Sequence, residues 1–143
     1  MASPSDLERS VAELTLAIGL LVRRVRAAAP TRELSWGESA VLGRLDRGGP
    51  ATTAELARAE AVRPQSMGST IAELVAKGLV ERQPHPTDGR QVHIRLTAEG
   101  AAMRRRIKDA KRSWLAQAIA ELDPRDQETL LAAGEILRRL AER

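Results

Sequence analysis

The chain has 143 residues, with 23 Lys and Arg against 19 Asp and Glu, a formal net charge of +4, and no Cys, Phe or Tyr. That length suits one ordinary domain, and 43% hydrophobic with 29% charged residues is a folded rather than a disordered composition. Without Cys, the chain has no disulfides, Cys-based zinc sites, thiolate nucleophiles or thiol redox sensing. Trp36 and Trp114 are the only aromatics besides two histidines, so stacking platforms for single-stranded nucleic acid are excluded. Arg outnumbers Lys by 20 to 3, a bias that a GC-rich genome also produces, so basicity alone does not establish nucleic-acid binding. The longest uncharged apolar run, Leu14 to Val22, falls short of the ~20 residues of a membrane span. No basic segment opens the chain as in a secretory signal. A cytoplasmic location with no membrane partner is the expectation.

Helix signals dominate. Ser5 and Glu8 have the spacing of a capping box, and behind them Leu7, Val11, Leu14, Ile18, Leu21 and Val25 alternate spacings of four and three. The stripe ends at Pro30. It reads as one long helix whose apolar face either meets the monomer's own core or a second subunit. Leu16 and Leu20 add a second apolar edge, which favours the subunit interface. Ser35 and Glu38 repeat the box spacing and open a helix through Asp46, with Val41, Leu42 and Leu45 inward, before Gly48-Gly49-Pro50 stops it. Thr52 and Glu55 form a third box ahead of a short helix carrying Leu56 and Ala57. Pro64 suits the first position of another helix, which runs to Lys77, ends at Gly78 and turns Met67, Ile71, Leu74 and Val75 inward. Two short helices around residues 60–63 make a helix-turn-helix.

The period then changes. Residues 79–82 and 92–96 read as strands, the second alternating Val92, Ile94 and Leu96 with His93 and Arg95. Between them Pro84-His85-Pro86-Thr87-Asp88-Gly89 is turn chemistry. A hairpin directly after a helix-turn-helix is a wing. Thr97 caps a long helix with Met103, Ile107, Trp114, Ile119 and Leu122, and Asp123-Pro124 opens a last one with Leu130, Leu131, Leu137 and Leu140. The expected fold is mainly α with a small β-hairpin wing. It is a single domain over 1–143, with a winged helix-turn-helix at 35–97 flanked by helices at 1–30 and 98–143.

Three motifs follow in order: Lys77-Gly78-Leu79 closing the second helix of the pair, Asp88-Gly89-Arg90 in the wing, and Leu96-Thr97-Ala98-Glu99-Gly100 after it. Together with the flanking helices they resemble the MarR family of bacterial transcriptional regulators over nearly the whole chain. The resemblance implies that 1–30 and 98–143 are dimerisation helices, and that the homodimer binds a pseudo-palindromic double-stranded DNA operator. Repression by promoter occlusion and release by a small aromatic or acidic effector are also implied. It further implies that Arg90 enters the minor groove while Asp88 helps to set its direction; the bland alternative is a surface ion pair between the two.

On the second helix of the pair, Gln65, Ser66 and Ser69 lie opposite Met67 and Ile71, with Thr70 at the margin and Arg63 just ahead. Gln pairs two-pronged with adenine, Ser and Thr donate or accept, and Arg63 suits a guanine edge or a phosphate. Many family members carry Arg where this chain has Ser69 or Glu73, so the family's base-reading set does not transfer whole. Thr53, at a helix N-terminus, suits a backbone phosphate. The dimer seam would use Leu7, Val11, Leu14, Ile18, Ile119, Leu130 and Leu137, and Trp36 would either border an effector pocket or serve as a packing residue. The basic run Arg104-Arg105-Arg106, Lys108, Lys111 and Arg112 is either a solvated helix face or a DNA track.

His85 and His93 lack the clustered ligands of a metal site, so no metal and no cofactor are expected. No nucleophile-elbow, phosphate-loop or dinucleotide pattern occurs, so the chain does not read as an enzyme. The competing reading is a winged-helix protein–protein interaction module without specific DNA binding.

Overall fold

The helix starts follow local chemistry, which a computed structural model describes for residues 3–30 and 33–143. The first helix, α1 (Pro4–Ala27), begins earlier than the Ser5–Glu8 spacing predicts. Ser3 is the cap and its Oγ accepts the Asp6 N–H at 3.2 Å. Pro4 decides this register, since its fixed φ and missing N–H suit the first helical position. α2 (Trp36–Gly48) has the expected box, with Ser35 Oγ accepting from Glu38 N–H and the Glu38 carboxylate accepting from Ser35 N–H. It runs past Asp46 to Gly48 and stops at Gly49, whose φ is +74°. Thr52 and Glu55 box the start of α3 (Thr53–Ala59), and Pro64 opens α4 (Pro64–Ala76). Gly78, at φ +72°, turns the chain out of α4.

The sheet holds one strand more than expected. β1 (Ala51–Thr52), β2 (Val80–Pro84) and β3 (Val92–Leu96) form an antiparallel sheet in the order β1-β3-β2. Arg82 pairs with Ile94 and Gln83 with His93 across the hairpin, while Thr52 meets His93 from the other side. Two residues are too few to leave a periodic trace in the sequence, which is why β1 is not legible there. Along β3 only Ile94 is buried, with Leu96 half-buried and Val92 exposed. The apolar alternation therefore runs past the end of the core.

The chain divides into two compact units, residues 29–109 and residues 1–28 with 110–143. The boundary lies inside α5 (Ala98–Ala120) rather than at residue 97, because Gly100 and Ile107 are buried. In the winged-helix unit Val41, Leu42 and Leu45 of α2, Leu56 of α3, Met67, Ile71 and Leu74 of α4, and Val80 and Ile94 of the sheet form one buried cluster. Each such side chain contributes about 1.5–3 kcal/mol by leaving water. In the other unit the helices are α1, the second half of α5, and α6 (Pro124–Ala141), capped by Asp123. Neither α1 nor α6 has a buried residue. The Arg24 guanidinium lies over the Trp114 ring at 5.5 Å.

Residues of two of the three sequence motifs explain how α5 joins the winged helix. Thr97 Oγ1 donates to Gly78 O at 2.6 Å and accepts the Gly100 N–H at 3.0 Å, while Thr97 N–H donates to Leu79 O at 3.1 Å. A Cβ on Gly100 would stand 1.9 Å from Leu79 O, so only glycine admits this approach.

Candidate nucleic-acid interface

The turn between α3 and α4 sets the pose of α4. Ala61 takes a left-handed φ of +53°, and Val62 N–H closes the turn onto Ala57 O at 3.0 Å. Arg44 of α2 braces it, with Nε 2.7 Å from Glu60 Oε1 and Nη2 donating to Ala59 O. Met67, Ile71 and Leu74 then anchor α4 in the core, and Gln65, Ser66 and Ser69 stand exposed on its other side. Ser69 Oγ donates back to Gln65 O at 3.3 Å, which leaves its oxygen lone pairs to accept.

Thr70 departs from the expected set. It is half-buried, donates to Ser66 O, and faces α2 near Gly37, where an added Cβ would stand at an ordinary contact distance of 3.7 Å from its Oγ1. Its surroundings are those of a packing residue.

The other end of α4 is held by an ion pair between the partly exposed Lys77 and the buried Glu38. Lys77 Nζ lies 2.6 Å from Glu38 Oε2 and donates to Glu33 O at 2.6 Å, tying the end of α4 to the start of α2. Burial alone would raise the Glu38 carboxyl, but hydrogen bonds from Lys77 and Ser35 together with the Lys77 charge hold it below its ordinary value. Lys77 of the Lys77-Gly78-Leu79 motif thus braces α4 against the start of α2.

In the wing Asp88 and Arg90 do not form the surface ion pair of the bland alternative. Asp88 Oδ1 accepts the backbone N–H of Arg90 at 3.0 Å, and Asp88 O accepts Gln91 N–H at 3.1 Å. This turn fixes the backbone from which the exposed Arg90 side chain projects. Arg95 is engaged by Glu81 across the sheet in an exposed ion pair. Arg104 and Lys108 both face Asp46 of α2, at 3.4 and 3.7 Å, which makes part of the basic run structural. Among the described residues Arg63, Arg82 and Arg90 form no salt bridge and are exposed.

Thr53 is half-buried, and the first turn it opens already holds the Glu55 carboxylate on Thr52 N–H. That negative charge opposes an anion there. Trp36 is 64% exposed and is not among the residues lining one cavity of the winged-helix unit, about 640 Å³, whose lining includes Leu34, Leu79, Met103, Lys77, Glu99 and Arg106. Sequence reasoning missed Lys77 and Arg106 there, because residues from three separate segments meet only in the fold.

Of the expected seam residues, Leu7, Val11, Leu14, Ile18, Leu130 and Leu137 are all exposed, and Ile119 is half-buried. Among the described residues no group of three or more His, Cys, Asp or Glu stands as a metal cluster, and no helix is long and apolar enough to cross a membrane.

Comparison with known proteins agrees with this architecture. Residues 32–91 match the MarR family profile. An HTH-type transcriptional regulator of Mycobacterium tuberculosis is 34% identical over 134 residues, 94% of each chain. An HTH-type transcriptional repressor from the same species is 32% identical over 106 residues, 73% of this chain and 76% of that one. The crystal structure of a putative transcriptional regulator from Pseudomonas aeruginosa superposes with a TM-score of 0.86 at 32% identity, covering 99% of both chains. With its winged helix, exposed α4 face and motif order, the chain belongs to the MarR family and is a DNA-binding transcriptional regulator.

Proposed function

We propose that the protein is a homodimeric repressor of a pseudo-palindromic operator. Each subunit would lay α4 in a major groove, with half-site centres about 10 bp apart. Gln65, Ser66 and Ser69 address base edges there, and Arg63 takes a base or phosphate at the helix entry. Arg90 enters the flanking minor groove, where negative potential concentrates and the weakly hydrated guanidinium is readily accepted. The observation that carries this reading is the division of charge. Arg44, Lys77, Arg95 and Arg104 are paired with acids, whereas Arg63 and Arg90 are exposed beside the polar face of α4 and at the wing tip. Residues 51–97 hold six Lys and Arg against five Asp and Glu, so placement rather than bulk charge makes the surface attractive to DNA.

The dimer is supported by the same accounting of apolar surface. α1 and α6 bury no residue, yet Leu14, Ile18, Leu130 and Leu137 are 52, 40, 37 and 40% exposed. Two long amphipathic helices with uncovered apolar stripes call for a partner surface. The similarity to a repressor supports repression by occlusion of a promoter in the cytoplasm. A small aromatic acid would fit the cavity beside Lys77 and Arg106, its ring against Leu34, Leu79 and Met103. A carboxylate competing for Lys77 would loosen the brace between α4 and α2.

Selection of genomic fragments by the purified protein, repeated over a salt series, tests this function. Enrichment of a few sequences with affinity falling steeply with salt is expected. No enrichment at any salt would refute it.

A further inference from the structure

The wing contains a histidine pair that DNA binding as described above does not use. His85 sits at the start of the tip, where its Nδ1 accepts the backbone N–H of Thr87 at 3.2 Å and of Asp88 at 3.0 Å. Thr87 Oγ1 is 3.3 Å from the same nitrogen. The His85 backbone N–H donates to Gln91 O at 3.0 Å, so His85 stitches both sides of the tip. The His93 ring of β3 meets the His85 ring edge-on, with centroids 4.4 Å apart. The next link is Asp88 itself, whose carboxylate holds Arg90 N–H.

We infer that His85 is a positioning residue for Arg90 and makes the wing's grip on DNA sensitive to protons. The inference rests on the minor-groove reading of Arg90. A ring that accepts at Nδ1 carries its one proton on Nε2, so a second proton must take the lone pair that holds the Thr87 and Asp88 amides. Protonated Nδ1 is a donor facing two donors, and the tip must rearrange. The charged and titratable groups on the surrounding elements are few. Within the tip they are Asp88 and Arg90, and on β3 the His93 ring. The Glu81–Arg95 pair lies further along the same sheet face. On the far side of β3, Glu55 holds Thr52 N–H, and Thr52 pairs with His93. None of them supplies an alternative acceptor for both amides.

The test follows the backbone amide signals of Thr87, Asp88 and Arg90 in the full-length protein from about pH 8 to about pH 5.5, the range over which histidine changes charge. In parallel, affinity for a fragment retained by selection is measured at both ends at constant ionic strength. The wild type is expected to show the three amides titrating together and roughly tenfold weaker binding at the acid end, the scale of one or two lost hydrogen bonds. His85→Asn places an acceptor oxygen where Nδ1 stands and takes up no proton, so its amides and affinity stay level across the range. His85→Ala binds weakly at both ends.

Wild-type amides that do not move, or a His85→Asn variant with the wild-type pH profile, would overturn the inference. Failure of DNA recognition itself would look different, with no fragment held at pH 8 by any variant, and would withdraw the inference's consequence for affinity along with the operator.

Discussion

Replacing Gly100 with alanine adds one methyl group at the place where α5 enters the winged-helix unit. Its Cβ would lie 1.9 Å from Leu79 O, 2.9 Å from Leu79 C and 3.3 Å from Leu79 Cα. A carbon rests about 3.3 Å or more from a carbonyl oxygen, so the two backbones must separate by about 1.4 Å. Leu79 O is also the acceptor of Thr97 N–H at 3.1 Å, and the adjacent Gly78 O accepts Thr97 Oγ1 at 2.6 Å. The separation therefore stretches the hydrogen bonds that hold the start of α5. Overpacking against a backbone that cannot yield costs about 3 kcal/mol, and a weakened hydrogen bond about 1 kcal/mol. The better helix propensity of alanine returns about 1 kcal/mol, leaving a net loss of about 3 kcal/mol.

At this chain length that corresponds to a fall of roughly 6–12 °C in Tm, or a lower urea midpoint at unchanged slope. Urea unfolding at one fixed protein concentration is the appropriate assay, because subunit association would shift the midpoint with concentration. Gly68→Ala is the control. It lies inside α4 with open space where its Cβ would go, so it should gain about 0.5–1 kcal/mol. A Gly100→Ala midpoint equal to or above wild type would refute the close-approach argument.

Lys77→Met leaves the Glu38 carboxylate buried without its cation. It should cost about 2 kcal/mol at neutral pH, less than a fully buried pair because Lys77 is partly exposed. The folded-state pKa of Glu38 lies below its ordinary 4.5, so its contribution is fully present above that value and is lost as pH falls through the lowered one. In Lys77→Met burial dominates and raises the Glu38 carboxyl, so the folded state takes up its proton first and the urea-midpoint deficit against wild type should shrink as pH falls through the acid range. Coincident profiles would argue against the pair. Leu14→Glu with Ile18→Glu should give monomer or unfolded chain by light scattering, and a persistent dimer would place the seam elsewhere. Arg90→Ala should weaken fragment binding roughly tenfold, the loss of one good groove contact, while leaving the dimer intact. Unchanged affinity would remove its minor-groove role.

The order of helices, the wing and the caps at Ser35, Thr52, Thr97 and Asp123 were legible because each depends on residues a few positions apart. The left-handed turn at Ala61 carried no such signal, since alanine rarely adopts that conformation and glycine would be the usual marker. Which cations are free was not legible either. Arg95 and Arg90 look alike in sequence, but the strand register puts Glu81 opposite Arg95 and leaves Arg90 at the tip. Thr70 falls at the margin of the polar face of α4 in the sequence, and only the fold shows it half-buried and facing α2 near Gly37. The roles of Gly100 and of the His85 ring likewise depend on approaches between segments that no local pattern records.

The absence of cysteine gives direct access to the central claim, that α4 reads the major groove in two half-sites. A single Ser69→Cys substitution, coupled to an iron chelate, makes a DNA-cleaving probe on the exposed face of α4 without competing thiols. On a fragment retained by selection, cleavage should fall at two clusters whose centres are about one helical turn, ~10 bp, apart. Cleavage spread evenly along the fragment, or none on DNA that the labelled protein still binds, would contradict the account.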